Sequence, residues 1–237
     1  MKYTQPFHKT VLMKRYKRFL ADVELENGEV ITVHTPNTGS MNGCAEPGFT
    51  AWIYDSESTT RKYRYSWLLV ENNEGVKIGI NTAGANTLVE EAINNGVIKE
   101  LQGYASVRRE VKSQSGESRF DFFLEDHPDR ADCFVEVKSV TAMGEDGLGI
   151  FPDAVSARGK KHLDDLVVMV EKGLRAVLIF CVQRDDISRM RAAREIDPVY
   201  ADALDRAMEH GVEVYAYVAR LSPQELALYT PIPVLKS

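Results

Sequence analysis

Two carboxylates and one lysine are spaced so that they could bind a divalent cation between two neighbouring strands. Residues 118–124 read S-R-F-D-F-F-L, and residues 132–138 read D-C-F-V-E-V-K. Both runs are short, rich in Phe and Val, and bounded by turn residues, which predicts two strands joined by a loop. Ionised groups among such apolar residues need partners, a metal ion or a catalytic purpose.

Strand periodicity predicts which of these side chains share a face, because alternate side chains point to opposite sides of a strand. One face of the first strand is expected to carry Phe120, Phe122 and Leu124, and the other Arg119, Asp121 and Phe123. In the second strand, Glu136 and Lys138 share a face. We therefore expect Asp121, Glu136 and Lys138 to meet on one side of the strand pair.

The chemistry that fits these three groups is metal-dependent hydrolysis of a phosphodiester. A divalent cation neutralises charge that develops on the phosphate, and Mg²⁺ prefers a few carboxylate oxygens. Asp121 and Glu136 would supply two of them, with Mg²⁺ or Mn²⁺ as the expected cofactor. Lys138 could orient the attacking water or stabilise the transition state. A Glu–Lys pair is more often a surface salt bridge, so the flanking elements must support this interpretation.

Length and composition indicate two domains. The chain has 237 residues, of which 44% are hydrophobic, enough for two cores. No apolar run reaches membrane-spanning length, and the first ten residues lack the apolar segment of a secretory signal. We therefore expect a soluble, cytoplasmic protein with no membrane partner. Cys44, Cys133 and Cys181 show neither metal-ligand nor disulfide spacing and are expected to be buried thiols.

The distribution of charge favours nucleic acid binding by the first 79 residues. The net charge is −6, but this segment has ten Lys and Arg against nine Asp and Glu, while the remainder has nineteen against twenty-six. Its positive charge is concentrated in two short runs, Lys14, Arg15, Lys17 and Arg18, and Arg61, Lys62 and Arg64. Such patches can bind a phosphate backbone, although a solvated charged face is the commoner meaning.

Residues 1–79 are predicted to form a small β-barrel. Short β-compatible runs and turns follow one another, and Asn27-Gly28 is a strong hairpin signal. Aromatic residues are interleaved with the basic ones, which is typical of an oligonucleotide-binding (OB) barrel whose rings stack on bases. Periodicity alone favours the simpler alternative, in which these rings fill the barrel core.

Residues 80–237 are predicted to form a mixed α/β domain. A helix should begin near Asn86 and end before Gly96; Glu90 and Glu91 flank its apolar stripe, so spacing does not decide which points inward. A strand over 104–112 should place Val107 and Val111 on one face. A helix over 156–172, a buried strand after it, a helix over 198–210 and a last strand over 213–218 would complete an α/β/α sandwich.

The order helix, strand, Asp-bearing strand, Glu-x-Lys strand, helix and strand resembles the PD-(D/E)XK nuclease core. Five separated motifs are also similar to those of the sugar fermentation stimulation protein A family: H-T-P-N-T-G-S-M at 34–41, N-T-L-V-E-E-A-I at 86–93, S-R-F-D-F at 118–122, F-V-E-V-K-S-V-T at 134–141 and F-P-D-A-V-S-A-R-G-K-K-H-L at 151–163. The resemblance implies an OB-like β-barrel followed by a restriction-endonuclease-like α/β/α sandwich with a mixed central sheet. It also implies DNA binding and a regulatory role in maltose and related sugar metabolism.

The resemblance further assigns residues to the site. The family pattern E-A-I matches 91–93, so it favours Glu91 over Glu90 as the helix acid that joins Asp121 and Glu136 on the metal. Glu110, Arg158, Lys161 and His162 match recurrent positions and become accessory candidates.

The resulting prediction is a DNA-binding protein with a Mg²⁺-dependent phosphodiesterase site. The alternative is a non-catalytic, DNA-binding transcriptional regulator on a nuclease-like scaffold. Whether the DNA is single- or double-stranded stays open. So does the oligomeric state, a homodimer included.

Overall fold

The structure, a computed structural model, describes residues 1–37, 39–112 and 119–236. Thr38 and Ser118, which belong to two of the motifs quoted above, lie outside these residues. The described chain forms two six-stranded sheets, one small two-stranded sheet and three α-helices. None of these helices has the length and apolar character needed to cross a membrane.

The first sheet closes into a barrel, as predicted. Its strands are β1 (His8–Tyr16), β2 (Leu20–Glu24), β3 (Val30–His34), β4 (Thr50–Asp55), β5 (Tyr65–Glu71) and β6 (Lys77–Gly79). The order is β3-β2-β1-β4-β5-β6, and a parallel bridge from His34 to Ser66 closes β3 onto β5. Alternate residues fill the interior, with Trp67 fully buried. Gly28 takes a φ of +83°, a left-handed conformation that suits glycine in the β2–β3 hairpin.

The second sheet is mixed and forms the centre of the α/β domain. Its elements along the chain are α1 (Ala85–Asn94), β7 (Ser106–Lys112), β8 (Arg119–Glu125), β9 (Cys133–Val140), β10 (Leu148–Phe151), α2 (Ala157–Glu171), β11 (Arg175–Val182), β12 (Arg189–Ala192), α3 (Pro198–Glu209), β13 (Glu213–Leu221) and β14 (Leu226–Ile232). The sheet order is β14-β13-β11-β9-β8-β7. Strands β9, β11 and β13 run parallel, and the outer pairings are antiparallel.

The three helices cover both faces of this sheet. The apolar stripe of α1, which includes Leu88 and Val89, packs in one core with Phe122, Val135 and Ile179. Helices α2 and α3 pack in a second core, on the opposite side of the sheet. Strand β11 alternates between the two cores and is buried along nearly its whole length, as its continuous apolar sequence predicted.

Two parts of the domain differ from the sequence-based expectation. Strand β13 is followed by β14, an antiparallel edge strand, so the strand predicted as the last one is not the last. Pro231 lies within β14 opposite Tyr217, and an edge strand tolerates a proline that would break a central ladder. The glycine-rich segment after β9 also contains a strand, β10, which pairs in parallel with β12.

Backbone hydrogen bonds connect the barrel to the α/β domain. The N–H of Gly79, at the end of β6, donates to the carbonyl of Gln183 at 2.8 Å. The side chain of Asp185 accepts from the N–H of Lys77 at 3.1 Å. Directional bonds at the end of β6 therefore fix how the barrel sits against the sheet that carries Asp121 and Glu136.

Candidate functional site

Asp121 lies where β8 separates from β9. Backbone pairing between these strands joins Phe122 to Val135 and continues away from Asp121. At Asp121 the side chain replaces the backbone in bonding to β9: its Oδ2 accepts from the N–H of Val137 at 2.7 Å. Its Oδ1 accepts from Nδ2 of Asn86 in α1, also at 2.7 Å. The carboxylate is thereby held between β9 and α1.

The separation of the strands explains one wrong prediction. Phe120, Phe122 and Leu124 do not share a face: Phe122 and Leu124 pack under α1, whereas Phe120 packs in the opposite core. There its ring centroid lies 5.0 Å from that of Phe134. The side on which residues pack changes at Asp121, where the carboxylate rather than a backbone group makes the bond to β9.

Strand β7 changes faces at the same level, which corrects a second prediction. Val107 packs against the core under α1 and Val111 against the opposite one. Between them Glu110 has a φ of +55°, far from the extended conformation that keeps side chains alternating. Side chains of β7 can therefore alternate regularly before Glu110 and after it, but the face that packs against a given core changes at Glu110.

Glu136 lies at the centre of a buried charged cluster and is 3% exposed. Its Oε1 accepts from Nζ of Lys138 at 2.6 Å and also contacts Nδ1 of His162 in α2. Nε2 of His162 in turn accepts from Nε of Arg158 at 3.2 Å. The other oxygen, Oε2, is buried and has no hydrogen-bond partner among the described residues.

The two carboxylates respond differently to this environment. Burial raises the pKa of Asp121, and the nearby charge of Glu136 raises it further. Burial would also raise the pKa of Glu136, but the hydrogen bond from His162 and the charge of Lys138 outweigh that effect and lower it. The surroundings thus favour the ionised form of Glu136 and, on balance, disfavour that of Asp121.

The helix acid is placed differently from the expectation. The carboxylate of Glu91 pairs with the amino group of Met1, and Glu90 pairs with Arg109 at 3.5 Å. Asn86 is the α1 residue that reaches Asp121. Because residues of a helix advance by about 100° each, Glu91 lies well off the side of α1 that carries Asn86. The structure therefore does not join Glu91 to Asp121 and Glu136.

Among the described residues, no three acidic, His or Cys side chains gather into a metal-binding group. A pair of carboxylates nevertheless fits a hard divalent cation, since Mg²⁺ is commonly held by one or two carboxylates together with water and substrate phosphates. The unsatisfied Oε2 of Glu136 supports this fit, because a buried anionic oxygen without a partner is costly. Asp121 and Glu136 are the residues that would hold the ion.

The accessory candidates separate into two groups. Arg158 and His162 contact the Glu136 cluster, as described above. Glu110 is 53% exposed and forms an ion pair with Arg119 at 3.6 Å, and Lys161 pairs with Asp165 at 3.5 Å. The last two pairs lie outside the cluster.

Sequence reasoning missed Asn86 and Tyr200 as site residues. Asn86 was considered only as a helix cap, and nothing local indicates that its amide would reach Asp121. The hydroxyl of Tyr200, in α3, is buried without a hydrogen-bond partner among the described residues. Burial raises the pKa of Tyr200, and the charge of Glu136 adds to that rise. The ring of Tyr200 also packs against Gly159 in α2, next to Arg158, and this contact puts the tyrosine beside the cluster.

The basic residues of the barrel also separate into two groups. Lys14 pairs with Asp22 at 3.2 Å, and Nε of Arg64 donates to Asp55 at 2.8 Å. The guanidinium of Arg15 donates to backbone carbonyls of the β3–β4 loop, at 3.1 Å to Asn37 and 3.0 Å to Gly39. The other four predicted cations, Lys17, Arg18, Arg61 and Lys62, have neither an ion pair nor a side-chain hydrogen bond among the described residues.

Arg61 and Lys62 line a groove of about 780 Å³ beside the barrel. Three tyrosines also line it, Tyr3, Tyr54 and Tyr63, together with His34. The ring of His34 lies 6.2 Å from that of Phe19 in the β1–β2 turn, next to Lys17 and Arg18. Arg61 and Lys62 therefore lie among aromatic side chains, one of which, His34, is close to the ring beside Lys17 and Arg18 in the sequence.

The fold defines a class of two-domain proteins in which a closed OB-type barrel precedes a mixed α/β domain bearing a buried carboxylate–lysine cluster. Residues 13–80 match the sequence profile of the SfsA N-terminal OB domain, and residues 83–225 match the sugar fermentation stimulation protein RE domain. The chain belongs to the sugar fermentation stimulation protein family.

Individual relatives agree over the whole chain. A sugar fermentation stimulation protein homolog of Shewanella halifaxensis is 53% identical over 234 residues, 99% of each chain. The homolog of Shewanella frigidimarina is 52% identical over 224 residues, covering 94% of this chain and 95% of the relative. The structure of Pyrococcus furiosus SfsA in complex with Ca²⁺ superposes with a TM-score of 0.86 at 26% identity, covering 99% of this chain and 98% of the other.

Proposed function

We propose that this chain binds DNA and hydrolyses phosphodiester bonds with a divalent cation held by Asp121 and Glu136. The observation that carries the proposal is the buried Oε2 of Glu136, which has no partner among the described residues and lies near a second carboxylate whose pKa it raises. Two neighbouring carboxylates in a desolvated site repel one another. A cation bound by both would remove this repulsion.

The bound cation, Mg²⁺ or Mn²⁺, would supply a positive centre that stabilises the phosphate and activates water. The protein's own part is positioning. Hydrogen bonds from Asn86 and Val137 orient Asp121, and those from Lys138 and His162 hold one oxygen of Glu136. Each oxygen of Asp121 accepts one of these bonds, so it keeps a lone pair for a ligand.

Lys138 is suited to act on the phosphate or the attacking water. Its side chain is 13% exposed and its Nζ lies 2.6 Å from Glu136, so its amino group is fixed in place inside a partly desolvated site. A preorganised ammonium in such a place stabilises charge that develops in a transition state more strongly than one in water. Lys138 therefore contributes electrostatic stabilisation rather than a ligand atom.

Two further observations support the proposal. The P. furiosus relative was solved in complex with Ca²⁺, a hard cation that, like Mg²⁺, prefers oxygen ligands. The barrel offers Lys17 and Arg18 next to the exposed Phe19, and Arg61 and Lys62 in a groove lined by partly exposed aromatic side chains. This combination of cations and aromatic faces suits a nucleic acid strand.

The test is cleavage of labelled single- and double-stranded DNA with Mg²⁺ or Mn²⁺. Wild type is expected to cut, and Asp121→Ala to lose at least about 100-fold of the rate, because it removes one of two ligands. Asp202→Ala is the matched control, since Asp202 is 69% exposed on α3 and pairs with Arg194. If Asp121→Ala cuts as fast as Asp202→Ala, the site assignment is wrong.

The placement of Glu91 supports a second candidate, a DNA-binding regulator that does not cleave. With Glu91 paired to Met1, the cluster offers two carboxylates where the resemblance implied three. A protein that shifts DNA in a gel, binds no Ca²⁺, Mg²⁺ or Mn²⁺ by calorimetry and cuts nothing would establish this alternative. Cation binding without cleavage would instead indicate a structural metal.

A further inference from the structure

Arg158 and His162 connect the surface of the protein to Glu136. Both lie in the first turns of α2, four residues apart, so their side chains share one side of the helix. Nε of Arg158 donates to Nε2 of His162 at 3.2 Å. The other ring nitrogen of His162, Nδ1, contacts Oε1 of Glu136. The three side chains form a continuous hydrogen-bonded chain from solvent to the buried carboxylate.

This chain fixes the tautomer of His162. An arginine guanidinium only donates hydrogen bonds, so Nε2 of His162 must be the acceptor and carry no proton. The ring proton then lies on Nδ1, where it is donated to Glu136. Nζ of Lys138 is 3.2 Å from the same Nδ1, but two donors cannot bond each other, so this lysine is directed to Oε1 of Glu136. Oε1 is thus occupied by two donors, and Oε2 is the oxygen left for a cation.

The outer end of Arg158 remains available for a ligand. The residue is exposed, and in the part of the chain that the structure describes only its Nε makes a hydrogen bond. The two Nη groups of a guanidinium form a planar pair of donors that matches the oxygens of a phosphate. Arg158 also lies in the first turn of α2, where the partial positive charge of the helix favours an anion.

We propose that Arg158 binds a phosphate group of the nucleic acid through its Nη atoms while its Nε holds His162 in the tautomer that positions Glu136. Arg158 is then a phosphate-binding residue, and His162 is a positioning residue that acts through Glu136. The proposal deepens the proposed function and rests on it for the identity of the ligand. The hydrogen-bonded chain itself does not depend on cleavage.

The first test reads the tautomer of His162 directly. Long-range ¹H–¹⁵N NMR at neutral pH reports which ring nitrogen is protonated, and His162→Gln assigns the signal among the five histidines. Wild type is expected to show a protonated Nδ1 and an unprotonated Nε2, and Arg158→Met a mixture of tautomers. A protonated Nε2 in wild type overturns the proposal, and so does a tautomer that Arg158→Met leaves unchanged.

The second test separates the two roles of Arg158. His162→Gln should lower Ca²⁺ affinity, measured by calorimetry without DNA, by about 10- to 100-fold, as loss of a group that orients a metal ligand typically does. Arg158→Met should lower Ca²⁺ affinity and also reduce the salt dependence of oligodeoxynucleotide binding by about one counterion. Arg158→Lys retains the charge but offers one donor group instead of two separate ones. We therefore expect it to keep the salt dependence and lose the fixed tautomer.

Arg206→Ala is the matched control, because Arg206 is an exposed arginine on α3 that pairs with Asp164 on α2. It should change neither Ca²⁺ affinity nor salt dependence. If Arg158→Met behaves like Arg206→Ala in both measurements, or if Arg158→Lys retains both properties, the double role is wrong. A wild type with the fixed tautomer but no Ca²⁺ affinity supports the hydrogen-bonded chain and contradicts the proposed function instead.

Discussion

The carboxylate cluster of the α/β domain and the basic residues of the barrel use their charges in opposite ways. In the cluster, charges from two strands and a helix converge on Glu136, and one carboxylate oxygen is left without a partner in the described chain. In the barrel, cations that are neighbours in the sequence have different partners. Arg15 donates to loop carbonyls and Arg64 to Asp55, while Arg61 and Lys62 face a groove.

The difference shows what makes a charged residue available for a ligand. A buried charged group with an unsatisfied atom is unfavourable in free energy, and a ligand that pairs with that atom removes the penalty. An exposed cation is available to bind a ligand only if its side chain is not already paired with another group of the protein. Counting lysines and arginines in the barrel therefore overestimates how many of them lack an intramolecular partner in the described chain, whereas the two carboxylates predicted on the strands do come together.

The largest effect should come from removing the partner of Glu136. Lys138→Met leaves a buried carboxylate paired only with His162, and breaking a buried pair in this way costs about 3 kcal/mol of unfolding free energy. Ca²⁺ should restore part of the loss by supplying a positive charge at the same carboxylate. Urea denaturation with and without Ca²⁺ measures both effects.

Lys160→Met is the control for that measurement. Lys160 and Asp164 form an ion pair on α2 in which each side chain is 40% exposed, and exposed pairs contribute about 0.5 kcal/mol. If Lys138→Met lowers the unfolding free energy no more than Lys160→Met does, the cluster does not hold a desolvated charge. The α/β domain and the barrel would then not differ in how they hold their charges.

A structural feature of this protein could be predicted from the sequence when the residues that determine it lie close together along the chain. Short alternating runs and local turn signals were enough to predict that the first domain is a β-barrel. Glycine and capping signals predicted the ends of α1, α2 and α3 to within one or two residues. Asp121, Glu136 and Lys138 were found because they lie on strands adjacent in the chain. Each of these features is set by residues close in sequence.

The remaining features depend on packing between distant segments. The rotation of α1 about its axis decides that Asn86, rather than Glu91, approaches Asp121, and only the fit of the whole helix onto the sheet sets it. Phe120 packs against Phe134 beyond the point where Asp121 bonds to Val137, a contact between two different strands. The partner of Arg15 lies 22 residues away. No local pattern carries this information.

A second prediction tests whether Arg15 is structural. Arg15→Met removes the donors to the carbonyls of Asn37 and Gly39, and leaving the carbonyl of the buried Asn37 unsatisfied should cost about 2 kcal/mol. Lys17→Met, two residues on and without an ion pair in the described chain, should leave the unfolding free energy unchanged. Chemical denaturation of both variants checks this. Equal stability would show that the loop does not need Arg15.

A third prediction concerns the cations that face the groove. Replacing Arg61 and Lys62 together by Ala should weaken oligodeoxynucleotide binding and reduce its salt dependence by about two counterions, because each phosphate contact releases about one. The melting temperature should stay unchanged, since neither residue has an ion-pair partner among the described residues. Fluorescence anisotropy over a range of salt concentrations measures the slope. An unchanged slope would place DNA binding elsewhere.

The smallest effect is expected at Arg64, and it is the sharpest test of the comparison. Arg64 belongs to the same basic run as Arg61 and Lys62, but Asp55 holds its guanidinium through two contacts of 2.8 and 3.0 Å from Nε. This contact also keeps the pKa of Asp55 below its usual range. Arg64→Gln should therefore change the salt dependence of DNA binding by well under one counterion, since a neutralised cation releases little on contact with phosphate. A loss of about one counterion, half of that expected for the double replacement of Arg61 and Lys62, would show that Arg64 exchanges Asp55 for the ligand. An intramolecular ion pair at this surface would then not prevent a cation from binding phosphate.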